Sequence, residues 1–254
     1  MISYSVLGSG SSGNSYLIGY RGEALLIDSG FSYKELKGRI EVAGYAPHQI
    51  GALCLTHLHP DHARGAGVFA RQSGKPVVVN QAVVELEEVV KLNIPPPQLQ
   101  TFQAGVSFSL PPFVITPFET HHDSPHSVGF SIEVGGKKLA ILTDTGLWDE
   151  AMVAQIEGTH LLFLEANYDE EMLERGPYPY FLKERIRGEQ GHLSNGEAIN
   201  LLNSLQRGPE KVYLCHLSKT NNHPKVVLKQ CDEKLEWVGE VVVCHNGEQY
   251  NGTL

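Results

Sequence analysis

The chain has no run of about 18 apolar residues, so no segment is expected to cross a bilayer as a helix. Residues Met1 to Leu7 carry neither a basic stretch nor a cleavage site, and they read as a first strand rather than a signal. Cysteine is scarce: Cys54, Cys215, Cys231 and Cys244 are scattered, without the close spacing of a thiolate metal site. Three of them sit in apolar, strand-like runs, where a thiol serves as a small hydrophobe. A reducing cytoplasm suits this pattern better than a secreted disulfide framework. Positive charge is also short, with 20 Lys and Arg against 29 Asp and Glu and a net charge of −9. That argues against a generally basic nucleic-acid binder and confines any attraction for phosphate to a cleft. No Gly-x-Ser-x-Gly motif offers a hydroxyl nucleophile. At 254 residues, one α/β domain spanning 1–254 with a sizeable core is expected.

What the chain does have is Thr56-His57-Leu58-His59-Pro60-Asp61-His62, with three imidazoles and one carboxylate inside six residues. The apolar run Ala52 to Leu55 leads into it, and a helix-like segment, Ala63 to Gln72, leaves it. This reads as a strand ending in a loop of metal ligands. In an extended loop His57 and His59 share a side, because the side-chain period is two. Asp61 and His62 require the chain to turn, so they face a second point. Two adjacent ions are served by such a loop better than one. As bystanders, three buried imidazoles would each need a separate hydrogen-bond partner. The set is rich in N and O donors and lacks thiolate, which suits zinc, manganese or iron.

Elsewhere, Ile2 to Leu7, Ser15 to Ile18 and Glu23 to Asp28 read as strands, with a hairpin turn at Gly19 to Gly22. Ser32 and Glu35 have the spacing of a capping box for a helix to about Ala43. A strand over Pro76 to Asn80 precedes helical spacing over Gln81 to Leu92, which Pro95 to Pro97 terminates. Phe102 to Asp144 is rich in strand signals, with a hairpin at Gly135-Gly136. Ser194 and Glu197 again space as a capping box, opening a helix to about Gln206. Val212 to Cys215 reads as a strand, Pro224 to Glu236 as a helix and Val241 to Cys244 as the last strand. Each half runs from strand-rich to helix-bearing, which predicts two sheets face to face with helices outside. Gly8 to Gly13 matches G-x-G-x-x-G, but Ser15 to Ile18 continues as strand where a dinucleotide site needs a helix N-terminus. Asp28 also comes too early for a ribose-binding acid. The small residues instead predict either a loop passing close to a metal site or substrate phosphate, or a plain turn.

The string His57-x-His59-x-Asp61-His62 resembles the signature of the metallo-β-lactamase superfamily. Gly8 to Ser15, Ile27-Asp28-Ser29-Gly30, Leu164 to Asp169 and Gly191-His192-Leu193-Ser194-Asn195 are similar to one branch of it, the YycJ/WalJ-type nucleases. Two departures stand out: Tyr168 occupies a position where that branch has histidine, and Ser124 and Ser127 replace an alanine and a proline. The resemblance implies a four-layered αβ/βα sandwich with a dinuclear metal site and DNA exonuclease activity. It also implies further ligands downstream: His122, Asp144 and His216.

On this reading His57, His59 and His122 hold one divalent ion, Asp61, His62 and His216 hold a second, and Asp144 bridges them. Zinc or manganese would then hold a hydroxide between the two ions at a separation of ~3.5–4 Å and clamp a phosphoryl oxygen. His192, left over from the ligand set, is expected to clamp the phosphate or protonate the leaving oxygen. Asp28 is expected to orient a ligand imidazole. Asn14, Asn167, Ser194 and Ser218 are candidates for supporting or substrate contacts, and Lys183, Arg185 and Arg187 form a candidate DNA-facing cluster. His121 and His126 are expected outside the ligand set. Nucleic acid is the expected partner, DNA favoured over RNA, with no membrane partner. A small-molecule hydrolase (lactam, thioester, lactone or cyclic phosphodiester) on the same site, and a non-catalytic metal-binding regulatory module, remain alternatives.

Overall fold

A computed structural model describes residues 1–254. Its strands are β1 (Ile2–Gly8), β2 (Ser15–Tyr20), β3 (Glu23–Ile27), β4 (Ile50–Cys54), β5 (Val77–Asn80), β6 (Leu99–Phe102), β7 (Phe108–Leu110), β8 (Phe113–Glu119), β9 (Val128–Val134), β10 (Lys137–Leu142), β11 (Leu161–Glu165), β12 (Lys211–Cys215), β13 (Glu240–Val243) and β14 (Tyr250–Thr253). The helices are α1 (Tyr33–Val42), α2 (Pro60–Ala63), α3 (Ala66–Ser73), α4 (Glu87–Leu92), α5 (Glu150–Ile156), α6 (Glu170–Arg175), α7 (Tyr180–Arg187), α8 (Asn195–Ser204) and α9 (Pro224–Lys234).

Two seven-stranded sheets form, in the orders β14-β1-β2-β3-β4-β5-β6 and β13-β12-β11-β10-β9-β8-β7. Each is antiparallel in one half and parallel in the other, the parallel pairs running from β3 to β6 and from β10 to β13. The parallel strands read as continuous apolar runs because both of their faces are covered. Tyr16, Ile27, Phe130, Ile141 and Phe163 fill the space between the sheets. The outer face of the first sheet packs on α1 and α3 through Leu26, Leu36, Leu53 and Phe69. The outer face of the second packs on α5, α8 and α9 through Leu142, Met152, Leu164, Leu202 and Val227. The layers therefore run helix, sheet, sheet, helix, as the sequence pattern predicts.

Several local expectations differ. The helix expected from Ala63 to Gln72 is broken between α2 and α3. Gly65 N–H donates to Ser29 O, and a Cβ at Gly65 would lie 2.3 Å from Phe31 O, so the backbones touch where a continuous helix would collide. Helical spacing over Gln81 to Leu92 yields a 3₁₀ turn, Gln81–Val83, and then α4. Val241 to Cys244 is not the last strand, since β14 follows and pairs antiparallel with β1. Both capping serines accept from the backbone as expected, but Glu35 turns to Arg39 and Glu197 to Trp148, so neither box closes reciprocally.

Candidate metal centre

Parallel strands deliver their C-terminal ends to one edge of the sandwich, the usual place for a site in such sheets. Asp28 follows β3, the histidine loop follows β4, Asp144 follows β10, Glu165 ends β11 and His216 follows β12. Asp28, Asp144 and His216 have φ of 62°, 60° and 58°, in the left-handed region. Non-glycine residues there cost about 1–3 kcal/mol each. Three such residues at one edge show that the fold holds these side chains against local preference. Pro60 opens α2 and supplies the expected turn after His59, since its fixed φ suits the first helical position.

The donor atoms converge. Ligand atoms of His57, His59 and His122 form one group, those of Asp61, His62 and His216 a second, and those of His57, His62 and Asp144 a third, with all atoms in each group within 4.8 Å of one another. Asp144 joins the two histidine groups: its carboxylate is 3.2 Å from His62 Nε2 and 3.7 Å from His122 Nε2. His59 Nδ1 lies 3.1 Å from His122 Nε2, and Asp61 Oδ2 lies 3.7 Å from His216 Nε2.

Outer partners fix the rings. His62 Nδ1–H donates to Asp28 Oδ2 at 2.7 Å, and His122 Nδ1–H donates to Gly191 O at 2.9 Å. Thr56 Oγ1 donates to Asp28, so its lone pair accepts from His57 Nδ1–H at 2.9 Å. His216 Nδ1–H donates to Glu165 Oε1 at 2.8 Å. Four imidazoles are thereby set as the Nδ1–H tautomer with Nε2 turned inward, as metal-ligating histidines require. Within that inner space His57 Nε2, Asp144 Oδ2 and His216 Nε2 are buried and have no hydrogen-bond partner. Buried polar atoms are rarely left so, and a divalent cation fits every one of them.

The electrostatics agree. Burial pulls His62 down, yet Asp144, Asp28 and Asp61 outweigh it and carry it up to about 9. His216 is raised well above its usual value against the same burial, chiefly by Asp144, Asp61 and Glu165. His57 is pushed well down by burial and then by neighbouring imidazoles. Although burial opposes ionisation of Asp61 and Asp144, the facing imidazoles hold both below the usual carboxylate range. The centre thus presents ionised carboxylates paired with protonated imidazoles where cations would sit.

Glu165, to which the sequence reading gave no role, is the main addition. It is fully buried, accepts from Thr145 N and Leu193 N, and bridges His192 Nδ1 and His216 Nδ1, each at 2.8 Å. The available signal was a carboxylate closing the apolar run Leu161 to Leu164, inside a strand buried on both faces.

The other expected residues are placed as follows. Asn14 Nδ2 lies 2.9 Å from His62 Nε2 and 3.3 Å from Asp61 Oδ2, and its Oδ1 accepts from Gly10 N. The glycine-rich loop therefore lies against the histidine loop, and Ser9 Oγ accepts from His216 N. Asn167 donates to His216 O, holding the exit of β12. Ser218 lines the cleft, its hydroxyl accepting from Thr220 N and Asn221 N. Ser194 is not brought to the centre: it caps α8 and meets Glu170. His121 pairs with Asp149, and His126 is exposed. Ser124, one of the two departures from the branch pattern, accepts from Leu58 N between the two loop histidines. Arg185 binds Asp123 at 2.6 Å, while Lys183 and Arg187 turn to Glu174. A cleft of about 410 Å³ opens over His59, Asp61, His122, Asp144, His192 and His216.

A family model described as a β-lactamase superfamily domain matches residues 23–217. The chain is 32% identical over 248 residues to exodeoxyribonuclease YycJ of Bacillus anthracis, covering 96% of this chain and 94% of that one. It is 33% identical over 222 residues to exodeoxyribonuclease WalJ of Streptococcus pneumoniae, covering 86% and 82%. Among solved structures, the metallo-β-lactamase fold protein YhfI of Bacillus subtilis superposes with a TM-score of 0.74 at 21% identity, over 99% of both chains.

Proposed function

We propose that this chain, which belongs to the β-lactamase superfamily and is a metal-dependent hydrolase, acts as an exonuclease on DNA. The observation that carries the reading is Asp144, whose carboxylate stands between two sets of inward-facing imidazoles at the floor of an open cleft. In a chain so similar to exodeoxyribonucleases over most of its length, this arrangement favours a phosphodiester substrate. Two divalent ions, zinc or manganese, would be held by His57, His59 and His122 on one side and by Asp61, His62 and His216 on the other, with Asp144 between. When bound, such a pair makes water nucleophilic near neutral pH and neutralises charge on a phosphoryl group.

The side chains do the rest. Asp28 locks His57, through Thr56, and His62; Glu165 locks His216; Asn14 presses on Asp61 and His62. His192 lines the cleft with Nδ1 tied to Glu165. Burial draws its pKa down, but Glu165 outweighs this and raises it, which favours the protonated ring. A charged imidazole there can hold a phosphate oxygen or give its proton to the departing 3′ or 5′ oxygen. Incubation of end-labelled duplex DNA, single-stranded DNA and RNA with added manganese or zinc tests the reading. Mononucleotide release from DNA is expected; turnover of a lactam or thioester with intact DNA would replace the nuclease by a small-molecule hydrolase.

A further inference from the structure

One wall of the cleft does not serve the hydrolytic chemistry. Tyr178, Leu182 and Ile186 line it, whereas Ser11, Lys219 and Thr220 line the cleft elsewhere. On the same helix Tyr180 and Phe181 do not line the cleft and are 74% and 73% exposed, the most exposed aromatic side chains of the molecule. Phe181 stands one helical turn before Arg185, which reaches the cleft. The cations of α7 are already engaged, Lys183 and Arg187 with Glu174 and Arg185 with Asp123. What the helix offers a ligand is therefore aromatic and aliphatic surface, and the ammonium on the cleft rim is that of Lys219, which donates to Ser12 Oγ and has no acidic partner.

We propose that Tyr178 and Phe181 form a stacking platform for unpaired bases at the end of the DNA strand whose backbone enters the cleft. This deepens the nuclease reading and rests on it. Three observations select the occupant. The cleft, about 410 Å³, has the size of a small-ligand site. A duplex, with a major groove alone about 12 Å wide, does not fit such a space. The polar rim suits a sugar–phosphate backbone, and the apolar wall suits bases freed from their own stack. With a net charge of −9, the protein has little counterion release to draw on outside the centre, so contacts that salt does not screen would supply strand affinity away from it. Base–aromatic stacking is such a contact and tolerates any sequence.

The test uses the metal-loaded protein and two single strands of equal length, one normal and one abasic over its terminal nucleotides. Wild-type protein is expected to show a KM about five- to hundredfold higher on the abasic strand, the range of one stacked base. Phe181→Ala and Tyr178→Ala should each raise KM on the normal strand towards the abasic value and add little on the abasic strand. Phe181→Trp should retain the wild-type difference. Equal wild-type KM on the two strands, or equal losses on both in the alanine variants, overturns the platform while leaving the nuclease reading intact. If Phe181→Ala changes only self-association, the exposed aromatics serve a second copy and the platform is likewise overturned. Failure of the wild-type protein to cleave either strand overturns the nuclease reading and the platform with it.

Discussion

Glu165 shows how one side chain governs a centre it need not bind. It has two oxygens and four donors, two of them backbone amides and two of them imidazoles on different segments. Charge-assisted bonds of this kind offset the cost of burying a carboxylate. Because the acid fixes His216, Glu165→Gln should weaken zinc affinity about 10–100-fold, as loss of an outer partner usually does. Competition with a chromophoric chelator measures it, and unchanged affinity would remove Glu165 from the centre. His192 hangs from the same carboxylate but points its other nitrogen at the cleft. His192→Ala should therefore leave metal content intact and lower turnover of DNA about 10²–10⁴-fold, the usual contribution of a general acid. Metal analysis beside single-turnover rates separates the two residues.

Among the elements, two strands that feed the centre were readable because each combines an apolar run with a polar terminus: Lys138 to Leu142 before Asp144 and Val212 to Cys215 before His216. The elements that departed from expectation depend on contacts distant in sequence. Gly65 breaks the helix because Ser29 and Phe31 lie against it, which no local pattern records. Strand β14 is a short edge strand with little apolar alternation, recognisable only beside β1. The histidine loop could be read as a ligand set from its own spacing, whereas Glu165 could not, since a carboxylate at a strand end ordinarily faces water. Ser194, two residues after His192, keeps the capping role its spacing with Glu197 indicates rather than a place at the centre, its hydroxyl capping α8. Ser194→Ala should cost about 1 kcal/mol, a fall in melting temperature of about 2–4 °C for a chain of this size, with metal content unchanged. Calorimetry with metal analysis checks it; loss of bound metal would return Ser194 to the site.

For the molecule as a whole, an acidic protein holds its positive charge in reserve until cations arrive. His62, raised to about 9, and His216, raised well above its usual value, carry protons at neutral pH that a cation must displace. Metal affinity should therefore rise as pH increases from 6 towards 9, with protons released on binding. Titration calorimetry in two buffers of different ionisation enthalpy reads that release, and pH-independent affinity would contradict the proton competition. The two sheets matter here because both supply donors: β4 of the first carries the loop with His57, His59, Asp61 and His62, while β8, β10 and β12 of the second lead to His122, Asp144 and His216. Cations bound there would tie the two sheets together at their shared edge.

The most direct measurement is metal stoichiometry with DNA turnover in wild-type protein and in Asp144→Ala. A pair of divalent ions per wild-type chain, with the variant losing at least one of them and its hydrolysis of DNA ends, is the predicted result. Wild-type metal content and undiminished hydrolysis in Asp144→Ala would contradict the account.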